Sequence, residues 1–151
     1  TATGARAIVA TASTVYFGAG NTLGGGGSSK AVLAAFDRAS GDFTSILPAE
    51  LADDDTVREL RLAGDRLIVT TANSAGSSIA VLDTADPGRY RVARHDGITT
   101  KATLVHDDDI FFLARAGDIR VCSMETMQID PVRIDGLDVG EVWGLGWVGD
   151  E

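Results

Sequence analysis

Cysteine, proline and histidine are scarce in this 151-residue chain, which has one cysteine, three prolines and two histidines. The single cysteine, Cys122, excludes an internal disulfide, and no cysteine and histidine spacing indicates a zinc site. The sequence also lacks an apolar run of the ~18 residues that a membrane span needs. We therefore predict no metal site, no resident cofactor and no contact with a membrane.

Positive charge is scarce as well, because 13 lysine and arginine residues face 22 aspartate and glutamate residues, for a net charge of −9. Nucleic-acid binding depends on basic side chains that neutralise phosphates, so we predict no nucleic-acid partner. Residues 1–12 have no charged start and apolar centre of a signal peptide, and a processed secreted protein would look the same. We expect a secreted or extracellular protein, with a cytoplasmic one as the alternative.

Short β-type runs separated by turn signals are abundant instead. Residues 57–92 contain four such runs, and Gly64-Asp65 and Asp86-Pro87-Gly88 mark two of the turns between them. Runs of this length, rich in valine, isoleucine and leucine, are typical of strands joined by hairpins. The stretch therefore predicts a four-stranded antiparallel meander.

The same meander recurs along the chain. Val15, Leu67 and Ile110 occupy equivalent positions in the second strand of each copy, 52 and 43 residues apart. Four strands in a repeat of about 40 to 50 residues are typical of propeller blades. We predict one all-β domain, a β-propeller segment of about three four-stranded blades plus the first strand of a fourth. The predicted blades cover about 5–47, 57–94, 100–134 and, for the start of the fourth, 141–151.

Two stretches carry a resemblance to known repeats, V-x-x-L-x-L-x-G-D-R-L-I-V-T-T at 57–71 and A-A-F-D-R-A-S-G-D-F at 34–43. They resemble the quinoprotein-like family of β-propeller repeats and, more loosely, the Kelch and WD-repeat families. The resemblance covers essentially the whole chain, and it implies a propeller fold. The functions it implies range from scaffolds and lectin-like platforms to quinone-dependent dehydrogenases and secreted polysaccharide lyases. Because quinone-dependent members carry a tryptophan motif in each blade and this chain has only Trp143 and Trp147, we expect no quinone cofactor.

An arc of three blades and one strand does not close a ring, since propellers have about four to eight blades. The remaining blades are expected either from the same chain in a longer protein or from a second copy. In the second case, two open arcs would complete one ring.

Acidic residues recur at the strand ends. Asp37 and Asp83 end equivalent strands, and we predict that each caps the following turn by accepting backbone N–H bonds. The three acids at 53–55 predict a solvated connection between blades. Cys122 takes the place of Leu82 in its copy, so it is predicted to be a buried apolar residue rather than a nucleophile.

The candidate catalytic residues are His95, His106, Tyr16 and Tyr90, because lyases that act on acidic sugars need groups that move a proton or neutralise a carboxylate. Both histidines are predicted to lie in solvated connections or turns. Their neighbouring aspartates are predicted to point away from them.

The candidate ligand-binding residues lie in loops and in the last predicted strand. Asn21 belongs to the glycine-rich stretch 20–29, and Asn73 belongs to the predicted loop 72–78. Trp143 and Trp147 are predicted to share one face of a strand, where they either stack against sugar rings or pack between blades. We predict a binding or scaffolding platform for a protein or carbohydrate ligand. The alternative is the propeller portion of a secreted polysaccharide lyase or hydrolase.

Overall fold

The computed structural model describes residues 5–20, 30–96, 103–113 and 119–132. These residues form an all-β structure with one 3₁₀ turn, Ala49–Leu51. Within the same ranges no helix has the length and apolar character to cross a membrane. The strands are β1 (Ala5–Ala10), β2 (Thr14–Gly20), β3 (Ala31–Asp37), β4 (Phe43–Ser45), β5 (Thr56–Ala63), β6 (Arg66–Ala72), β7 (Gly76–Asp83), β8 (Tyr90–Asp96), β9 (Thr103–His106), β10 (Asp109–Leu113), β11 (Ile119–Ser123) and β12 (Ile129–Pro131).

The strands pair as three antiparallel meanders, which confirms the predicted four-stranded repeat. The first meander is β1 to β4, the second is β5 to β8 and the third is β9 to β12. Their registers match, because Val15, Leu67 and Ile110 each hold the same place in the second strand. The predicted fourth copy, at 141–151, lies outside the described residues.

The first two meanders share one strongly curled antiparallel sheet, whereas the third forms a sheet of its own. A single residue pair, Gly20 with Thr56, joins β2 to β5. A side chain at Gly20 would collide with Thr56, and one at Gly18 would collide with Val57. The repeat predicts a separate sheet for each copy, and the two glycines explain the difference because they let β2 approach β5 closely.

The apolar core lies between the meanders. Successive residues of a strand point to opposite faces, so neighbouring residues of β6 enter different clusters. Leu67 packs in a cluster with Tyr16 of the first meander, and Ile68 packs in a cluster with Ile110 of the third. Both faces of the second meander are therefore covered, which explains why its central strands are continuous apolar runs rather than alternating ones.

The predicted turn caps are confirmed. The Oδ1 atom of Asp37 accepts bonds from the backbone N–H groups two and three residues further on, at 2.8 and 2.9 Å. Asp83 accepts the same pair of bonds at 2.8 and 3.2 Å, and the hydroxyl of Ser123 does so in the third meander at 3.3 Å. These bonds lower the pKa of Asp37, because they favour its ionised form.

The burial predicted for Cys122 is also confirmed. Its side chain is fully buried and lies opposite Ile110 in the ladder, as Leu82 lies opposite Leu67. Burial, with a smaller contribution from Asp109, raises the pKa of the Cys122 thiol to about 11. The thiolate is therefore scarce at neutral pH, as expected for a residue that fills space.

The prediction of a solvated acidic connection was wrong for Asp54. Asp53 is exposed, but Asp54 is fully buried beneath β6 and β8. Its carboxylate accepts a bond from the Thr71 hydroxyl and one from Asn73 Nδ2 at 2.8 Å, and Arg94 Nη1 lies 3.6 Å away. The sequence pattern did not indicate this site, because the partners come from strands that follow the three acids by many residues.

Candidate ligand-binding cleft

A cleft of about 480 Å³ lies between the first and second meanders, which we call the first cleft. Its wall on the first meander comes from β2, β3, β4 and the residues that follow β4. Its opposite wall comes from the turn between β7 and β8 and the start of β8. The residues that line it are Thr14, Tyr16, Ala35, Asp37, Thr44, Ser45, Ile46, Leu47, Thr84, Pro87, Gly88 and Tyr90.

Two tyrosines from different meanders meet in the first cleft. Tyr16 is buried, and its hydroxyl donates to the carbonyl of Thr84 at 3.4 Å. Burial raises the pKa of Tyr16. A hydrogen bond to the Glu50 carboxylate, with some burial, raises the pKa of Tyr90. Both hydroxyls are thus neutral at physiological pH, and because each already donates its proton within the fold, each offers a ligand its oxygen as an acceptor.

The remainder of the first cleft combines an apolar floor with a polar rim. Ile46 and Leu47 pack against the cluster that joins the first two meanders, so their side chains are anchored. Three hydroxyl side chains and one carboxylate, from Thr14, Thr44, Ser45 and Asp37, line the wall of the first meander. Such a surface contacts apolar atoms and hydrogen-bonds hydroxyl groups at the same time.

A second cleft, of about 380 Å³, lies at the equivalent position between the second and third meanders. Arg66 and Asp83 hold there the places that Thr14 and Asp37 hold in the first cleft, because Thr14 pairs with Asp37 as Arg66 pairs with Asp83. Tyr90 lines both clefts. The two clefts are therefore versions of one repeated feature.

Arginines span the second cleft. Arg91 Nη1 donates to the carbonyls of Met124 and Glu125 at 3.2 and 2.6 Å, so it ties β8 to the third meander. Arg66 Nη1 donates to Asp108 Oδ1 at 2.6 Å. These bonds occupy Arg66 and Arg91 of the second cleft, whereas the first cleft is lined by the neutral hydroxyls of Thr14, Thr44 and Ser45.

Of the four candidate catalytic residues, the structure brings together the two tyrosines and neither histidine. His95 lies within β8 and not in a connection, which corrects the prediction, and its ring meets Phe112 edge-on at 6.4 Å. His106 ends β9, and its Nδ1 lies 3.4 Å from Asp107 Oδ2. The prediction that Asp107 points away from His106 was therefore wrong. Asp107 lies in the turn after β9 with a positive φ of 51°, so the backbone there is not the extended chain that the prediction assumed.

Among the candidate ligand-binding residues, Asn73 is engaged within the fold. Its Oδ1 accepts bonds from the backbone of Ala75 and Gly76 at 2.8 and 2.9 Å, and its Nδ2 donates to Asp54. The predicted loop 72–78 is shorter than expected, because Ala72 already pairs with Ser77. The remaining candidates lie outside the described residues: Asn21, Trp143, Trp147 and most of the stretch 20–29.

Sequence reasoning selected Tyr16 and Tyr90 as proton-transfer groups and missed the cleft around them. Nothing in the sequence around Thr84 or Leu47 indicates a binding site, because each residue lines the first cleft only through the packing of one meander against the other. For Asp37 the sequence predicted a turn cap and not a place in a cleft. Across the described residues there is no group of three or more histidine, cysteine, aspartate and glutamate side chains that could hold a metal ion.

The fold and the cleft define an all-β repeat protein with ligand-sized spaces between its repeats. No family model matches the chain, and no curated protein sequence matches it. Among solved structures, it is similar to the computationally designed Ika4 protein, with a TM-score of 0.66, 14% identity and coverage of 99% of this chain and 82% of that one. It is also similar to the computationally designed Ika8 protein, with a TM-score of 0.63, 16% identity and coverage of 97% and 41%. At these identities the likeness concerns the fold alone.

Proposed function

We propose that the chain is an arc of a β-propeller that acts as a non-catalytic binding platform, and that its first cleft binds a carbohydrate. The propeller supplies rigid walls, and the cleft supplies the recognition groups. The observation that carries this proposal is the lining of the cleft, in which Tyr90 and an apolar floor lie beside a rim of neutral hydroxyl side chains.

The arrangement of the first strands supports the propeller. β1, β5 and β9 come from three different meanders, and residues of all three line one cleft of about 440 Å³. The Glu59 carboxylate accepts bonds from the backbone and the hydroxyl of Thr103, at 3.1 and 2.9 Å, which ties β5 to β9. First strands that converge while the meanders pack face to face are what a radial arrangement of blades requires.

The chemistry of the first cleft supports a carbohydrate. A sugar ring presents apolar C–H groups on its faces and hydroxyls on its edge, and tyrosine offers both an aromatic face and a hydroxyl. The net charge of −9 and the carboxylate of Asp37 favour a neutral sugar over an acidic one. A lyase or hydrolase would need proton-transfer groups free to act beside the bound bond, and Tyr16, Tyr90 and Asp37 of this cleft are instead bonded within the fold.

The test is a panel of neutral oligosaccharides, with binding measured by calorimetry and by the shift in melting temperature. Tyr90→Ala should weaken binding of the best ligand by tenfold or more, because it removes both a ring and a hydroxyl. Tyr90→Phe keeps the ring and should weaken binding by roughly two- to tenfold, the range of one hydrogen bond. Phe43→Ala is the matched control, since it removes an exposed ring that does not line the cleft.

Two results would overturn the proposal. One is that the folded protein binds none of the oligosaccharides in the panel. The other is binding that Tyr90→Ala leaves unchanged, which would place the ligand elsewhere. Sugar products released during the incubation would instead favour the lyase or hydrolase alternative.

A further inference from the structure

The first meander has an apolar face that its own chain leaves exposed. Ile8, Val32 and Phe43 are 60%, 42% and 69% exposed. Phe17 and Phe36 lie beside Phe43, with ring centroids 6.0 and 4.7 Å from it. All five share one side of the sheet, because residues paired across strands point the same way and so do alternate residues along a strand. We call this surface the open face.

The register of the repeat shows which surface of the other meanders is equivalent to the open face. Val15 pairs with Phe36 in the first meander as Leu67 pairs with Leu82 in the second. Leu67 and Leu82 are buried in the interface with the preceding meander. The open face is therefore the first meander's version of a surface that, in the second and third meanders, is covered by the meander before it.

The third meander presents the complementary surface. Phe111 pairs with Val121 there, as Tyr16 pairs with Ala35 in the first meander. Tyr16 covers the second meander, which follows it. Phe111 and Val121 are half-buried and lie on the side of the third meander away from the second. The described residues thus carry both kinds of surface. The open face of the first meander, the leading surface, is of the kind that a preceding meander covers. The outer side of the third meander, the trailing surface, is of the kind that covers a following meander.

We propose that a second copy of this chain packs its third meander on the open face. The reciprocal contact joins the two copies twice and closes a two-fold ring in which the described residues supply six meanders, within the range of about four to eight that propellers use. A second copy fits because its trailing surface has the same register and apolar character as the surfaces already packed inside the chain. This inference rests on the propeller proposed above.

The first test is the mass of the chain in solution, measured by light scattering and sedimentation at several concentrations. The wild type should be a dimer, and Ile8→Glu and Phe43→Glu should give folded monomers of half that mass, because each places a charge in the interface. Ser74→Glu is the matched control, since it adds the same charge at an exposed turn between β6 and β7 and should leave the dimer intact. A monomeric wild type, or a mass that grows past the dimer with concentration, would overturn the proposal.

A second test examines the geometry of the contact. A chain with both Phe17→Cys and Phe111→Cys should form a covalent dimer with a bifunctional maleimide that spans about 10 Å, the separation of packed sheets, whereas Ser74→Cys with Phe111→Cys should not. Equal cross-linking of the two variants would contradict the proposed packing. Glycan binding separates this inference from the proposed function, because the first cleft lies within one chain. Monomeric Ile8→Glu should keep wild-type glycan affinity if the cleft assignment holds.

Discussion

The first and second clefts occupy the same place in successive repeats and differ in what crosses them. In the first, Tyr16 contacts Thr84 through one long hydrogen bond of 3.4 Å. In the second, Arg91 reaches across to two carbonyls of the third meander, one of them at 2.6 Å. The repeated backbone creates a space at each interface, and the side chains decide whether that space is bridged or available to a ligand.

The difference also shows how the second meander serves two neighbours. Its face toward the first meander carries Leu67 and Leu82, and its face toward the third carries Ile68 and Val81. A substitution can therefore weaken one interface while leaving the other in place.

Leu82→Ala should cost the most stability. Leu82 is fully buried in the interface beside the first cleft, and replacing such a leucine by alanine removes about 2–5 kcal/mol from the free energy of unfolding. Val81→Ala, on the opposite face, removes fewer atoms and should cost less. Urea unfolding followed by circular dichroism gives both values. A loss for Leu82→Ala no larger than that of Ser74→Ala, at an exposed turn, would contradict the assignment of the core.

Asp54→Ala should be the next most damaging change. It leaves the hydroxyl of Thr71 and the amide of Asn73 without their acceptor in a buried site, which costs roughly 1–3 kcal/mol. Asp53→Ala, one residue earlier and exposed, should change the unfolding free energy very little. The same urea titration compares the two, and equal effects would mean that burial of Asp54 does not matter.

Cys122 should make stability depend on alkaline pH. Its pKa is raised from 9.0 to about 11 in the folded protein, so the unfolded chain loses the thiol proton first. This stabilising contribution is complete below pH 9 and is lost as the pH rises toward about 11. Unfolding free energies of the wild type should therefore fall more steeply over this window than those of Cys122→Ala. The tyrosines titrate in both proteins, so parallel curves would refute the role of the thiol.

Arg91→Ala should have the smallest effect of the four. It removes two hydrogen bonds that cross the second cleft from an exposed side chain, and we expect a loss of about 0.5–1.5 kcal/mol. Arg89→Ala, whose partner is the exposed Asp86, should be close to neutral. Melting temperatures suffice for this comparison. A neutral Arg91→Ala would mean that the second cleft does not depend on its bridge.

Much of the strand order could be predicted because turn residues are a local signal. Gly41 and Gly64 have positive φ values of 80° and 59° at turns of the first two meanders. In the third meander Met127 and Asp107 hold positive φ values at the corresponding turns, with no glycine to mark them. The register of the repeat, carried by Val15, Leu67 and Ile110, was enough to place those turns.

The candidate site could be predicted less well, since a cleft depends on distant parts of the chain. Tyr16 and Tyr90 were selected by residue type, but nothing near either residue in the sequence indicates the other. His95 was assigned to a connection because the last β-type run was expected to end near Val92, whereas β8 continues to Asp96. The burial of the Asp54 carboxylate was also missed, because its partners Thr71, Asn73 and Arg94 lie far from it along the chain.

By itself, the sequence determined an all-β chain of repeated four-stranded meanders, the equivalence of their strands and the capping roles of Asp37 and Asp83. These properties depend on contacts between residues that are close in the chain or fixed by strand alternation. Only the tertiary structure decided which face of each meander is covered, that Asp54 is buried and that Tyr16 and Tyr90 line one cleft. Those outcomes depend on packing between meanders, where the distance along the chain has no bearing on the distance in space.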